Sequence, residues 1–105
     1  MVYKLIVSER ADELIESLFS YLLVRLDSSQ AAVHFLDELD GLYDRLSENP
    51  MQFPKSPDGF LKSRGYREAF FSSMQYRLVF RVESKMVYIV GVFHDLENYQ
   101  EKVEE

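Results

Sequence analysis

The spacing between apolar residues changes once along this chain, and that change limits the folds open to it. Up to Leu46 the apolar residues recur every three or four positions, which is the spacing of one face of an α-helix. From Arg67 onward they alternate with polar residues, which is the spacing of a half-buried β-strand. The sequence therefore predicts an α+β fold in which helices pack on one face of a twisted, mainly antiparallel sheet.

The first third of the chain predicts a short strand and then an amphipathic helix. Residues 2–7 are mostly apolar and predict the strand, and Ser8 offers a hydroxyl group that can cap the following helix. An apolar stripe of about five helical turns follows. It consists of Ala11, Leu14, Ile15, Leu18, Phe19, Leu22 and Leu26.

A second helix is predicted after a short polar interruption. Asp27 and Gln30 have the spacing of a capping box, and either serine between them could also cap the helix. The helix should end before Asn49 and Pro50, because proline disfavours helical geometry in the residue before it. Two amphipathic helices joined by so short a link predict an antiparallel hairpin. The second stripe consists of Ala32, Phe35, Leu36, Leu39, Leu42, Tyr43 and Leu46.

The second half of the chain predicts an irregular connection and a β-meander. Residues 50–65 contain all three prolines and two of the four glycines, so they predict the connection. Residues 83–85 suit a tight turn, and the acidic tail 95–105 is expected to fray or to form a short helix. Nothing in residues 1–105 indicates a second domain. The strands are predicted at residues 67–71, 75–82 and 86–93.

The middle strand of the meander alternates most clearly. One face would carry Tyr76, Leu78, Phe80 and Val82, and the other would carry Gln75, Arg77, Val79 and Arg81. If the hairpin covers the first face, the second is expected to stay partly open and to display Arg77 and Arg81.

Composition excludes several kinds of site. The chain has no cysteine, so disulfides, zinc–thiolate sites and cysteine nucleophiles are excluded. The N-terminus does not have the pattern of a signal peptide, and no apolar run is long enough to span a membrane, so a cytoplasmic location is expected. The net charge of −6 speaks against nucleic-acid binding, although residues 55–85 alone hold 7 basic and 3 acidic side chains.

Six short motifs occur in an order and at a spacing typical of one protein family. They are Ser8-x-x-Ala11, Ala31-Ala32-x-x-Phe35-Leu36, Leu46-x-x-x-Pro50, Gly65-Tyr66-Arg67, the strand Tyr76–Val82, and Val90-x-Val92-Phe93-His94. From Tyr3 to about His94 the chain resembles the RelE/ParE toxin superfamily of type II toxin–antitoxin and plasmid-stabilisation systems. The resemblance implies a strand–hairpin–meander fold and a growth-arresting toxin. It also implies an antitoxin partner, from an adjacent gene, that wraps the toxin in a hetero-oligomer.

The resemblance leaves the target open, because the superfamily has two branches. RelE-like members cleave messenger RNA on the ribosome without a metal or cofactor, whereas ParE-like members inhibit DNA gyrase and are not enzymes. The leading interpretation is a RelE-like endoribonuclease, and the alternatives are a ParE-like gyrase inhibitor or a degenerate member that only binds its antitoxin. The acidity of the chain, together with Asp95 where relatives have a basic residue, weakens the nuclease interpretation.

Under the nuclease interpretation the resemblance implies particular site residues. Arg77 would stabilise the phosphate, His94 would carry the proton, and Arg81 would assist on the same face. Arg67 matches an arginine common to both branches, and it would assist in place of Arg81 or bind the RNA or target, with a structural role weighed equally.

Three further residues would bind RNA or the target, although a structural or solvated role is the competing interpretation for each. They are Lys62, Arg64 and Tyr99. The aromatic and apolar residues Phe53, Phe60, Phe70, Phe71 and Met74 could belong to the core or to an antitoxin groove.

Overall fold

The computed structural model describes residues 2–103 and contains a four-stranded sheet, a helical hairpin and a short third helix. The chain order is β1 Lys4–Val7, α1 Glu9–Ser20, a π-helical turn Tyr21–Arg25, α2 Ser29–Glu48, a 3-10 turn Pro50–Gln52, α3 Gly59–Ser63, β2 Tyr66–Phe70, β3 Tyr76–Glu83, β4 Met86–His94 and a 3-10 turn Tyr99–Glu101. The α+β architecture and the strand–hairpin–meander order predicted from the sequence are confirmed.

The sheet has the strand order β1-β4-β3-β2. The three strands of the meander are antiparallel, and β1 joins the edge of β4 in parallel. A bulge opposite Val79 and Phe80 leaves Val90 unpaired in β4, so Val90 and Gly91 interrupt the simple alternation of that strand. The turn between β3 and β4 is tight, and Ser84 adopts a positive φ of 55° in it.

Serine hydroxyl groups cap both long helices. The Ser8 Oγ accepts a hydrogen bond from the Ala11 N–H at 3.0 Å, as predicted. At α2 the cap is Ser28, whose Oγ accepts from the Ala31 N–H at 3.1 Å. The capping box of Asp27 and Gln30 is not formed, because Asp27 takes a left-handed conformation with φ 49° in the link.

The main apolar core lies between the helical hairpin and one face of the sheet. Most residues of both predicted helical stripes point into it, and so do the residues predicted for the first face of β3. Three predicted stripe residues do not: Leu14 packs against the second cluster, and Leu26 and Leu36 are exposed. Its fully buried large side chains include Phe35, Leu46, Leu78, Phe80 and Ile89. Two aromatic residues from the connection and the β2–β3 link, Phe53 and Phe71, complete this core. By contrast, Phe60 and Phe70 are exposed.

The other face of the sheet carries a second, smaller apolar cluster, so it is less open than the sequence predicts. The cluster consists of Leu61, Tyr66, Val79, Val90, Phe93 and Tyr99. Leu61 comes from α3 inside the connection predicted to be irregular, and Tyr99 comes from the tail predicted to fray. Both segments are ordered because each buries an apolar side chain against the sheet. The last two residues of the predicted tail, 104–105, lie outside the described residues.

Within residues 2–103, no helix combines the length and the apolar character that crossing a membrane requires.

Candidate functional site

A network of polar side chains lies on the second face of the sheet, around the carboxylate of Glu68. Glu68 is 0% exposed, yet both of its oxygens are satisfied. Its Oε1 accepts from the Arg77 Nη1 at 2.8 Å, and its Oε2 accepts from the Ser56 and Tyr99 hydroxyl groups at 2.6 and 2.7 Å. Burial of a carboxylate is tolerated only when it is paired and hydrogen-bonded in this way.

Arg77 contacts three polar side chains of this network. Its Nη1 also donates to the Tyr99 hydroxyl at 2.9 Å, and its Nε donates to the Asp95 Oδ1 at 3.2 Å. The guanidinium lies between two aromatic rings, 4.9 Å from the Phe70 centroid and 4.4 Å from that of Tyr99. Two of the three guanidinium nitrogens, Nε and Nη1, are therefore engaged by groups of the same chain.

The network also sets the ionisation of its members. Burial alone would lower the pKa of Arg77, but the hydrogen bond to Glu68 and the nearby Tyr99, Glu68 and Asp95 oxygens raise it instead. Burial, the hydrogen bond to Glu68 and the charge of Glu68 raise the pKa of Tyr99 to about 12. Arg77 is therefore always charged, and Tyr99 is a neutral hydrogen-bond donor near neutral pH.

The connection before β2 positions Ser56 in this network. Residues 54–56 run along the outer edge of β2, where the Ser56 N–H donates to the Tyr66 carbonyl and the Glu68 N–H donates to the Pro54 carbonyl. The side chain of Asp58 then accepts from the Leu61 N–H at 3.0 Å and begins α3. The segment is thus fixed by backbone pairing at one end and by a helix cap at the other.

His94 lies on the opposite face of the sheet from Arg77. The register of β3 and β4 pairs Tyr76 with His94 and Arg77 with Phe93, so the side chains of adjacent residues point to opposite faces. The His94 ring packs edge-on against Tyr76, with centroids 5.4 Å apart, and its Nδ1 accepts from the Leu96 N–H at 3.1 Å. The structure therefore does not bring together the two residues predicted to share the RNA-cleaving chemistry.

The two other arginines predicted for the site also have intramolecular partners. Arg81 shares the face of Arg77, as predicted, but its Nη1 contacts the Glu83 Oε2 at 2.6 Å and its guanidinium stacks on Tyr88. Arg67 pairs with Phe80 on the hairpin face, and its Nη1 donates to the Phe53 carbonyl at 2.7 Å. Arg67 thus ties β2 to the connection before α3.

The remaining predicted residues lie at the edges of the second face. Lys62 and Arg64 are exposed at the end of α3, where the Arg64 guanidinium stacks over Phe60 at 4.9 Å. Tyr99 shares with Arg77 and Asp95 an open groove of about 590 Å³. Arg77, Arg81 and Tyr99 therefore share a face, whereas Arg67 and His94 do not.

Sequence reasoning missed Glu68, Ser56 and the structural role of Asp95. Strand parity could have found Glu68, because it precedes Phe70 by two positions and must share its face and that of Arg77. No local signal identifies Ser56, since its position depends on the path of the connection. No group of histidine, aspartate or glutamate side chains within residues 2–103 is arranged to hold a metal ion.

Comparison with known proteins identifies the family. Residues 5–99 match the model of the family described as the ParE toxin of the type II toxin–antitoxin system parDE. No curated protein matches the sequence.

Similar solved structures share this fold at low sequence identity. The chromosomal ParDE toxin–antitoxin system of P. aeruginosa aligns with a TM-score of 0.72 and 16% identity, over 89% of this chain and 96% of that one. The toxin–antitoxin complex RelBE2 of Mycobacterium tuberculosis aligns at 0.59 and 20% identity, over 90% and 99%. An arginine-substituted E. coli toxin RelE, bound to a peptide of the antitoxin RelB, aligns at 0.61 and 20% identity, over 100% and 98%. The match over residues 5–99 and the shared fold show that the chain belongs to the ParE toxin family of type II toxin–antitoxin systems.

Proposed function

We propose that this toxin arrests growth in the cytoplasm by docking on a protein target, as ParE-like toxins do on DNA gyrase, and that an antitoxin neutralises it. The observation that carries the proposal is the state of Arg77, which is engaged by Glu68, Asp95 and Tyr99. To bind a phosphate through Nη1, Arg77 would have to leave a carboxylate that is 0% exposed. An uncompensated buried charge of this kind costs several kcal/mol.

The arrangement of the other charged groups supports the same proposal. A general acid or base must lie within hydrogen-bond reach of the reacting group, and His94 and Arg77 point to opposite faces of the sheet. The groove beside Arg77 is also lined by Asp58, Asp95 and Glu97, which would repel a phosphate. The net charge of −6 further disfavours association with RNA.

RelE-like cleavage of messenger RNA is the second candidate, because Arg77 and Tyr99 do line one groove on the same face. Opening of the segment 95–103 would expose both residues. This route requires the Arg77–Glu68 pair to break or the phosphate to bind a pair that is already neutralised.

Two measurements on one set of variants separate these functions. In the first measurement, purified toxin should inhibit supercoiling by purified gyrase. In the second, induced expression of the toxin in cells should cause filamentation and DNA-damage signalling, while ribosome-bound messages stay intact. His94→Gln should leave both effects unchanged, because under this proposal the imidazole transfers no proton. If the wild-type toxin cuts messages, His94→Gln does not, and gyrase is unaffected by either, the toxin is a nuclease instead.

Variants of Arg77 need a stability measurement beside the toxicity assay. Because Arg77 neutralises the buried carboxylate of Glu68, its loss can abolish toxicity by unfolding the protein. Arg81→Met is the matched control, since Arg81 lies two residues away on the same face and its partner Glu83 is exposed. The loss of toxicity in Arg77→Met is informative only if that variant remains folded at the assay temperature.

A further inference from the structure

The two edges of the sheet differ in how the chain itself covers them. Along the outer edge of β2 runs the segment 54–56, and the Ser56 and Glu68 N–H groups donate to backbone carbonyl groups across it. The opposite edge is β1, which pairs with β4 on its inner side. Edge strands normally carry proline, a bulge or several charges that prevent pairing with another chain. β1 has no proline and one charged residue, Lys4.

Four backbone groups of β1 point away from the sheet. The Lys4 and Ser8 N–H groups donate to carbonyl groups along β4 and the turn before it, so by alternation Ile6 also faces β4. The N–H and C=O groups of the two residues between them, Leu5 and Val7, therefore face outward. Within residues 2–103 these outward groups have no hydrogen-bond partner. They are free to pair with a further strand.

The side chains of β1 divide between the two faces of the sheet. Leu5 and Val7 pack against the main core under the helical hairpin. Ile6 pairs with Tyr88 and lies on the same face as Arg81, where it belongs to neither apolar cluster and is partly exposed. The open edge thus combines free backbone groups with a partly exposed isoleucine.

A second copy of β1 complements this edge in one antiparallel register. With Leu5 opposite Val7 of the second copy, and Val7 opposite its Leu5, all the outward groups of both strands form hydrogen bonds. Leu5 opposite Leu5 would place Val7 opposite Tyr3, whose N–H is already bonded to the Ser47 carbonyl. Val7 opposite Val7 would place Leu5 opposite Glu9, which lies in α1.

The same register suits the side chains. It places Ile6 directly opposite Ile6 of the second copy, and a pair of β-branched apolar side chains at this position is favourable. Lys4 lies opposite the uncharged Ser8, so no like charges are directly opposed. On the hairpin face, an open groove of about 520 Å³ between β1 and α2 borders Leu5. This groove has room for the Val7 side chain of the second copy.

We propose that two copies of this toxin pair antiparallel through β1, which joins their sheets into one sheet of eight strands. The contact is short, and each copy carries a net charge of −6, so the dimer is weak and depends on concentration. The inference does not depend on the target of the toxin. Its failure would therefore leave the proposed function unchanged.

A single cysteine at the two-fold axis tests the register, because the chain has no cysteine of its own. Opposite residues of a non-hydrogen-bonded pair have Cα atoms about 4.5 Å apart, a separation that a disulfide can span. Under a mild oxidant, purified Ile6→Cys should therefore become a covalent dimer of twice 12.4 kDa.

Lys4→Cys is the matched control, because Lys4 is on the same strand and face and is more exposed than Ile6. In the proposed register the two copies of residue 4 are roughly 13 Å apart along the strands, so this variant should stay monomeric. Oxidation of Lys4→Cys to a dimer as fast as Ile6→Cys would show random collision and refute the register.

Amide exchange in the unmodified toxin gives an independent readout. In the dimer the Leu5 and Val7 N–H groups should exchange about tenfold more slowly than in dilute toxin, whereas the Ile6 N–H should be protected at every concentration. If the Leu5 and Val7 rates do not change up to about 1 mM toxin, the copies do not pair and the inference is wrong. Protection that appears only when the antitoxin is added would assign this edge to the antitoxin and would also overturn the inference.

Discussion

The Arg77–Glu68 pair makes a prediction about stability that separates a structural arginine from a catalytic one. Replacement of Arg77 by Met keeps much of the side-chain length but leaves the Glu68 carboxylate buried and unpaired. Loss of one partner of a buried pair costs about 3–5 kcal/mol, and total stabilities are about 5–15 kcal/mol. We therefore expect Arg77→Met to be close to unfolding.

A second substitution should then restore stability rather than reduce it further. In Arg77→Met/Glu68→Gln the buried charge is gone, and the glutamine oxygen can still accept from the Ser56 or Tyr99 hydroxyl group. The double variant should be more stable than Arg77→Met by at least about 1 kcal/mol. Glu68→Gln alone should cost about 1.5–3 kcal/mol, because Arg77 keeps its contact with Asp95.

Urea unfolding followed by circular dichroism measures these differences. With a slope of about 1.5 kcal/mol/M, Arg77→Met should lower the midpoint by about 2–3 M. Arg81→Met should lower the free energy of unfolding by less than about 1 kcal/mol, since its pair with Glu83 is largely exposed. Equal losses for Arg77→Met and Arg81→Met, or a double variant less stable than the single, would refute the argument.

Two further predictions concern pH. In a spectrophotometric titration, Tyr43 and Tyr99 should ionise only near pH 12, because burial raises the pKa of both to about 12. Unfolded tyrosine ionises near pH 10, so stability should fall as the pH rises from about 10 towards 12; an unchanged stability would contradict this. Burial would raise the pKa of Glu38, but hydrogen bonds from Ser72 and Ser73 outweigh it and hold the pKa below 4.5. Glu38→Ala should therefore lower the free energy of unfolding by about 1–2 kcal/mol near neutral pH. This difference from the wild type should shrink as the pH falls below about 4.5. A difference that does not change with pH would show that the contacts do not depend on ionisation.

Residue spacing predicted most of the fold because the two periods in this chain are regular and its breaks are chemically marked. Ser8 caps α1 and Pro50 follows the end of α2, as expected. The shifts of strand ends by one or two residues reflect backbone pairing, which side-chain patterns do not report. The capping box failed because the helix begins one residue later, with Ser28 as its cap, and Asp27 takes a left-handed conformation in the link.

The second face of the sheet was harder to predict because distant segments cover it. Alternation correctly placed Arg77 and Arg81 on one side of β3, but it cannot show that Leu61 and Tyr99 fold over that side. Both covering segments are short, and no periodic pattern marks them. The partners of Arg77 come from β2, the end of β4 and the tail, so they depend on tertiary structure alone.

The function of an arginine at this place in the fold is decided by its neighbours more than by the arginine itself. A guanidinium on an uncovered sheet face can serve a phosphate, whereas one diagonal to a buried carboxylate must first neutralise that charge. Glu68 is therefore the more informative residue of the pair, although no catalytic motif includes it. Its removal would not by itself create an RNA site, because Asp95 would still occupy the Nε side of the guanidinium. Two acidic residues, Glu68 in β2 and Asp95 just after β4, thus engage Arg77, and on this ground we propose docking rather than cleavage of RNA.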